Sequence, residues 1–147
     1  MIGVPGSGKS SFLAHHGIAA VSTDALRELL FGDADDQRAP AQVFSLLRRI
    51  VASRLEARVP RTFVDATNLN AAARKPLVRL AVEAGDPVFA IWLDTGVDEC
   101  LTRNQGRTRV VGDDVVRRMA RTLRPATTAE GIAHLYRVRG SAGEWVY

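Results

Sequence analysis

Residues 3–10 read G-V-P-G-S-G-K-S, a complete G-x-x-x-x-G-K-S motif. Backbone N–H groups can wrap a polyphosphate only where the chain passes very close to it, and glycine permits both that approach and the positive φ angles it needs. In this motif the lysine reaches the β- and γ-phosphates, and the serine hydroxyl binds Mg²⁺. The residues predicted to bind the phosphates are Gly3, Val4, Pro5, Gly6, Ser7, Gly8, Lys9, Ser10 and Ser11.

A second candidate group is the stretch S-T-D-A-L-R at residues 22–27. It follows a predicted strand, so Asp24 should lie at the carboxyl edge of the sheet beside the γ-phosphate. A carboxylate there can accept the proton of an incoming hydroxyl. Arg27, one helical turn later, could hold a phosphate of the acceptor. Asp24 is also compatible with a plain helix N-cap, and the sequence leaves both roles open.

Two further groups could complete such a site. Asp65 ends a predicted buried strand, where a carboxylate can order the hydration shell of Mg²⁺ together with Ser10 and Asp24, and Asn68 should face the site from the following loop. Arg103 and Arg107 are spaced i, i+4, so we expect them to share one helix face. An arginine pair on a mobile lid would neutralise charge that develops during phosphoryl transfer. The open alternative for Asp65 and Asn68 is an ordinary strand-ending turn. For Arg103 and Arg107 it is an ordinary surface helix end.

The elements that must position these residues alternate between strand-like and helix-like segments, which predicts an α/β fold with a mostly parallel sheet. Helices are predicted over residues 9–16, 24–30, 41–57, 71–83, 97–104 and 113–123. Strands are predicted over residues 18–23, 62–66, 88–93 and within 133–138. A phosphate-binding loop also needs a strand before it, yet only Met1 and Ile2 precede Gly3. We therefore expect that part of the first strand is missing, through a late start site or a trimmed chain.

The composition restricts the class of protein. A chain of 147 residues suits a single domain. The single cysteine excludes an internal disulfide framework and suits the reducing cytoplasm, and no apolar run approaches membrane-spanning length. Residues 101–147 carry 9 basic and 4 acidic side chains, so this part favours a polyanion such as a nucleotide or a nucleic acid. A solvated arginine-rich helix face is the other interpretation.

The ordered combination of these motifs resembles the kinase domain of bacterial and phage polynucleotide 5′-kinases, and it is similar to the kinase module of the bacterial kinase–phosphatase–ligase RNA repair protein. The similar stretches are residues 3–10, 21–27, 64–68, 73–77 and 100–109. The resemblance implies a three-layer P-loop kinase fold with a mostly parallel central sheet and an arginine-bearing helical lid, formed by residues 1–147 as one domain. The implied reaction moves the γ-phosphate of ATP, with Mg²⁺, to the 5′-hydroxyl of RNA or DNA.

The resemblance also implies a role for each site residue. Asp24 would be the general base, and Lys9, Arg103 and Arg107 would stabilise the transferring phosphate. Substrate contacts would come from Arg27, Asp65 and Asn68. A small-molecule kinase on the same fold and a non-catalytic nucleotide-binding module remain alternatives. The oligomeric state is open, with a homodimer or a part of a larger repair protein as the alternatives.

Overall fold

The computed structural model describes residues 1–107 and 109–139. Within them the chain forms six α-helices, four strands and one 3₁₀ turn. In order these are α1 (Lys9–His15), β1 (Ala20–Ser22), α2 (Thr23–Phe31), α3 (Pro40–Glu56), β2 (Phe63–Asp65), α4 (Ala71–Glu83), β3 (Phe89–Leu93), α5 (Val97–Gln105), α6 (Asp113–Thr122), the 3₁₀ turn (Thr128–Glu130) and β4 (His134–Val138). The predicted α/β class is confirmed, and each predicted helix and strand has a counterpart.

Every strand pair is parallel, but the sheet is small and divided. Strand β1 pairs with β2, and β3 pairs with β4, as two separate two-stranded units. Met1 and Ile2 lie between these units and contact both of them. Ile2 forms an isolated parallel bridge with Trp92 of β3, and the amino group of Met1 donates to the carbonyl of Val64 in β2 at 3.0 Å. The expected single central sheet is therefore present as two halves, because two residues pair too briefly to make a strand between them.

Helices cover both faces of these strands. On one face Phe12 of α1 packs against Leu93 and Val138 of β3 and β4. On the other face Ile2 and Ala90 pack against Val78 of α4. Strand β3, which reads F-A-I-W-L, carries the continuous apolar run expected of a parallel strand between two helical layers. The remaining helices extend this core: α3 packs on α2 and β1, while α5 packs on α6.

The start of α2 decides one alternative that the sequence left open. The side chain of Ser22 accepts hydrogen bonds from the backbone N–H groups of Asp24 at 3.2 Å and Ala25 at 3.5 Å, so Ser22 is the N-cap. The N-cap interpretation of Asp24 is therefore wrong. Asp24 lies in the first turn instead. Its carboxylate does not cap the helix, and its negative charge interacts favourably with the positive end of the helix dipole.

A buried ion pair joins α4 to the segment that follows α6. Arg74 is 5% exposed and bonds to both carboxylate oxygens of Glu130, at 2.7 and 2.8 Å. The same guanidinium also donates to the backbone carbonyls of Asn68 and Arg124. These bonds satisfy most of the guanidinium's donors, and the pairing lowers the pKa of Glu130. The network fixes the loop after β2 against the end of α6.

We expect Arg74→Ala to destabilise the fold by about 3 kcal/mol or more, because it leaves a largely buried carboxylate without its partner. In thermal denaturation this corresponds to a Tm lower by roughly 6–12 °C. Arg79→Ala is the matched control on the same helix, since Arg79 is exposed and pairs with exposed Glu83. Arg79→Ala should lower the free energy of unfolding by less than about 1 kcal/mol. Equal losses for the two variants would contradict this assignment.

Candidate phosphate-binding site

The loop between Ile2 and α1 has the backbone that a phosphate cup requires. Gly3, Gly6 and Gly8 all have positive φ angles, of 154°, 81° and 95°. A Cβ on Gly6 would lie 2.1 Å from the carbonyl oxygen of Cys100, so the loop passes α5 too closely for any side chain. Glycine is therefore required both by the backbone conformation and by the close approach. Helix α1 begins directly after Gly8, and its first exposed N–H groups lie beside the loop.

Lys9 folds back over this loop. Its ammonium donates to the carbonyls of Gly3 at 2.8 Å and Val4 at 3.1 Å. Burial lowers the pKa of Lys9 to about 8, although the negative charges of Asp65 and Asp24 oppose that shift. Lys9 therefore stays mostly protonated at neutral pH and loses its proton above about pH 8, and the charge of a bound phosphate would favour its protonated form.

Ser10 and Asp65 form the predicted metal-binding pair. The Ser10 hydroxyl donates to the Asp65 carboxylate at 3.2 Å, although the two residues are far apart in sequence. Strand β2 ends at Asp65, and α1 carries Ser10 in its first turn, exposed together with Ser11. A hydroxyl and a carboxylate are the hard oxygen donors that Mg²⁺ takes when substrate phosphates and water fill its other positions. The residues present fit Mg²⁺: Ser10 would be a ligand, and Asp65 would order its water.

Asp24 lies between two arginines at the same edge. Arg27 donates to its Oδ1 at 2.7 Å, and Arg109 contacts its Oδ2 at 2.8 Å. Arg109 also pairs with Asp35 in the loop after α2, so it joins the segment between α5 and α6 to both ends of α2. The negative charge of Asp24 reaches Lys9 electrostatically. The structure thus brings Asp24, Arg27 and Lys9 to one region.

Arg109 is a residue whose role sequence reasoning missed. It stands in the arginine-rich stretch 103–109, but nothing in its spacing distinguishes it from Arg103 or Arg107. Its contact with Asp24 depends on the path of the chain after α5, which local periodicity does not encode. The sequence signal was only that an arginine follows the predicted lid helix.

The two predicted lid arginines are arranged differently from the expectation. Helix α5 ends at Gln105 and Gly106 is its C-cap, so Arg107 lies beyond the helix and does not share a helix face with Arg103. Arg103 bonds to Glu99 one turn back, at 2.5 Å. Arg107 is exposed, and its charge reaches Lys9 and lowers that pKa. The expected i, i+4 pairing was wrong because the helix stops at glycine before the second arginine.

Asn104 fixes the path of the chain after α5. It is fully buried, its amide donates to the carbonyl of Val111 at 2.6 Å, and its oxygen accepts from the Val111 N–H at 3.1 Å. These two bonds resemble the backbone pairing between strands. They hold the segment between α5 and α6 against the end of α5. The base of the lid then packs around Val4 and Cys100. Burial raises the pKa of the Cys100 thiol to about 11, so this cysteine is a packing residue.

Asn68 does not face the phosphate loop, which corrects the prediction for it. It is buried in a left-handed conformation with φ 47°, and its side-chain amide donates to the carbonyl of Met1 at 2.9 Å. The neighbouring Thr67 accepts a bond from the Gly3 N–H through its backbone carbonyl. The turn at residues 67–68 therefore holds the start of the loop through the backbone carbonyl of Thr67. The Asn68 side chain points the other way, because it bonds to the Met1 carbonyl.

We expect the affinity of the loop for Mg·triphosphate to fall as the pH rises above about 8. Lys9 in the free protein loses its proton there, whereas the bound anion favours the protonated form, so binding must take up a proton. Calorimetric titration at pH 8.5, in two buffers of different ionisation enthalpy, measures this uptake. The Lys9→Met variant should bind Mg·triphosphate weakly and without proton uptake. A wild-type affinity that does not change between pH 7.5 and 9.5 would refute the assignment.

Comparison with known proteins agrees with this geometry. The family model described as AAA domain matches residues 1–126, which include the phosphate-binding loop, Asp24, Asp65 and the lid. No curated protein matches the sequence. Among the residues described, no helix is both long and apolar enough to cross a membrane. Since the family match spans most of the chain, the protein belongs to the AAA domain family of P-loop NTPase-like kinase domains, whose members generally bind ATP with Mg²⁺.

Proposed function

We propose that this P-loop kinase domain transfers the γ-phosphate of ATP to the 5′-hydroxyl end of a polynucleotide. The observation that carries the proposal is the pair of Asp24 and Arg27, joined at 2.7 Å at the start of α2 beside the Lys9 loop. A carboxylate supplies the base that a hydroxyl acceptor requires. A guanidinium one turn away supplies the anion contact that an acceptor with its own phosphate requires.

The environment of Arg27 favours an acceptor that carries a phosphate. Arg27 is 8% exposed, and among the described residues its Nε has no hydrogen-bond partner. A buried donor without a partner costs about 1–3 kcal/mol, which a phosphate oxygen would recover. A small alcohol offers this donor only a neutral hydroxyl oxygen, which bonds more weakly than an anionic phosphate oxygen. A polynucleotide 5′ end has one in its first internucleotide phosphate.

Positive charge on the lid side also supports a polyanionic acceptor. Helix α6 and the turn after it carry four exposed arginines. These are Arg117, Arg118, Arg121 and Arg124. Such a group attracts phosphates through long-range electrostatics, which fall with ionic strength. Activity on an oligonucleotide should therefore depend more steeply on salt than activity on a neutral acceptor.

In the proposed reaction the acceptor oxygen attacks the γ-phosphorus. The new P–O bond forms as the bond from that phosphorus to the β,γ-bridging oxygen breaks, ADP leaves, and the hydroxyl proton passes to Asp24. Lys9 stabilises the phosphate oxygens, and Arg103 and Arg107 close over them as lid arginines. Bound Mg²⁺ would neutralise charge on the β- and γ-oxygens. Asp24 must exchange its contact with Arg109 for the acceptor, so the lid segment has to move in each cycle.

Asp24→Asn should lower kcat for labelling of a 5′-hydroxyl oligonucleotide by roughly 10²–10⁴-fold, because an amide cannot accept the proton. The rate of label transfer from γ-labelled ATP to the oligonucleotide, with Mg²⁺ present, measures this kcat. Asp98→Asn is the control: its carboxylate is 89% exposed on α5 and should leave kcat unchanged. Full activity in Asp24→Asn, in a protein that still binds ATP, would exclude Asp24 as the base.

Arg27→Ala distinguishes a polynucleotide acceptor from a small one. We expect kcat/KM for an oligonucleotide to fall about 10-fold or more, as for loss of one charge-assisted bond, while activity on a nucleoside without a 3′-phosphate changes little. Arg27→Lys should restore part of the loss. An equal fall for both acceptors would favour a small-molecule kinase, and it would assign Arg27 to positioning Asp24.

A further inference from the structure

Arg74 connects three parts of the chain that meet at the start of α4. It lies one turn after Asn70, the N-cap of that helix, and its side chain reaches back towards the helix N-terminus. Its Nη1 donates to the carbonyl of Asn68 at 2.9 Å and to the carbonyl of Arg124 at 3.1 Å, while Nε and Nη2 bond to the two carboxylate oxygens of Glu130. No step of the proposed reaction uses this residue.

The Asn68 carbonyl belongs to a left-handed turn that several contacts hold in place. Asn68 has φ 47° and is 8% exposed, a conformation that residues other than glycine adopt infrequently. Its carbonyl accepts from Arg74, and the next carbonyl, that of Leu69, accepts from the backbone N–H of Arg124 at 2.7 Å. Arg74 is therefore the side chain that fixes the peptide plane directly after the turn.

The same turn presents the acceptor for the first glycine of the phosphate loop. The Thr67 carbonyl accepts from the Gly3 N–H at 3.1 Å. Because peptide units are planar, the φ angle of Asn68 sets the orientation of the Thr67 carbonyl relative to the carbonyl that Arg74 holds. A fixed Asn68 carbonyl thus also fixes the direction in which Thr67 meets Gly3.

We propose that Arg74 is a positioning residue for nucleotide binding, which acts through the turn at residues 67–68 on Gly3. It holds the start of the phosphate loop before the nucleotide arrives, so the loop loses less conformational freedom when it binds phosphates. The inference rests on the binding of ATP in the proposed function and does not depend on which acceptor receives the phosphate.

The two sets of contacts that Arg74 makes have different consequences. The pair with Glu130 compensates a buried charge, and its loss lowers the stability of the whole fold. The bond to the Asn68 carbonyl acts on the turn and on the loop beyond it. A guanidinium makes both sets because its donors are spread over three nitrogens in a fixed fork. A lysine ammonium presents its donors from one nitrogen, so it can pair with Glu130 but cannot reproduce the remaining contacts.

The test therefore compares Arg74→Lys with Glu130→Gln. Arg74→Lys keeps a cation beside Glu130 and removes the fork, whereas Glu130→Gln removes the carboxylate charge and keeps the fork on the backbone carbonyls. Glutamine can also replace Glu130 in its capping-box bond to the Thr127 N–H. Arg79→Lys is the matched control, because Arg79 is an exposed arginine of the same helix and pairs with exposed Glu83.

Two measurements separate positioning from stability. Amide exchange at Gly3, followed by NMR in the protein without nucleotide, reports how firmly its N–H is held by Thr67. Calorimetric titration with Mg²⁺ and a non-hydrolysable ATP analogue reports the Kd, at a temperature where thermal denaturation shows each variant to be folded. Loss of folded protein would lower the number of binding sites and leave the Kd of each folded molecule unchanged.

We expect Arg74→Lys to speed exchange at Gly3 at least 10-fold and to raise the Kd about 10-fold, as for loss of one charge-assisted hydrogen bond. Glu130→Gln should lower Tm by roughly 5 °C or more and change exchange and Kd by less than about 2-fold. Arg79→Lys should change none of the three quantities.

Equal effects of Arg74→Lys and Glu130→Gln on Gly3 exchange and Kd would overturn the proposal, because Arg74 would then act through stability alone. Faster exchange in Arg74→Lys with an unchanged Kd would also overturn it. A wild-type protein that does not bind the analogue would contradict the proposed function. Exchange at Gly3 needs no nucleotide, so it would still decide whether Arg74 holds the start of the loop.

Discussion

The hydrogen bonds of Ile2 and Gly3 hold the phosphate loop in place, and the arrangement of the site depends on them. The N–H and carbonyl of Ile2 bond to Ile91 and Leu93 of β3 at 2.7 and 2.9 Å, and the Gly3 N–H bonds to Thr67 after β2 at 3.1 Å. The loop thus starts at the seam between the two halves of the sheet. From there Lys9 and the first turn of α1 can meet side chains that follow both β1 and β2.

The side chains of the site are held mainly by contacts between positive groups and oxygen atoms of the protein. Lys9, Arg27 and Arg109 all bond to oxygens of the protein, on loop carbonyls or on Asp24. In the proposed reaction, Lys9 would exchange its loop carbonyls for the triphosphate and Arg109 would release Asp24, so cations that hold the site together would take part in binding the ligands. Because Lys9 is partly desolvated, its charge interacts more strongly with a phosphate than an exposed lysine would. The lid segment is coupled to this exchange through Arg109, which joins it to Asp24 and Asp35.

Local patterns in the sequence predicted most of the fold. The apolar stripe of α3 and the glycines and caps around α4 placed both helices within one or two residues, because these signals act over a few neighbouring positions. The motif from Gly3 to Ser10 and the strand-ending Asp65 predicted that Ser10 and Asp65 lie in one region, since parallel strands bring their carboxyl ends to one edge.

The errors arose where caps and tertiary contacts, not a periodic pattern, decide the outcome. Ser22 took the capping role because its side chain precedes the first helical residue, and Asn68 turned towards Met1 because a left-handed turn directs it there. Arg107 fell outside α5 because Gly106 ends the helix. The contact of Arg109 with Asp24 depends on where the chain runs after α5, and Asn104 holds Val111 in that segment. None of these depends on a periodic pattern.

The most direct measurement is a crystal structure of the protein with Mg²⁺, a non-hydrolysable ATP analogue and a short oligonucleotide that ends in a 5′-hydroxyl. The account predicts the triphosphate within the loop of residues 3–10 and an Asp24 oxygen within about 3.2 Å of the 5′-hydroxyl. It also predicts that Arg109 has left Asp24. An acceptor bound elsewhere, with Asp24 still held between Arg27 and Arg109, would contradict it.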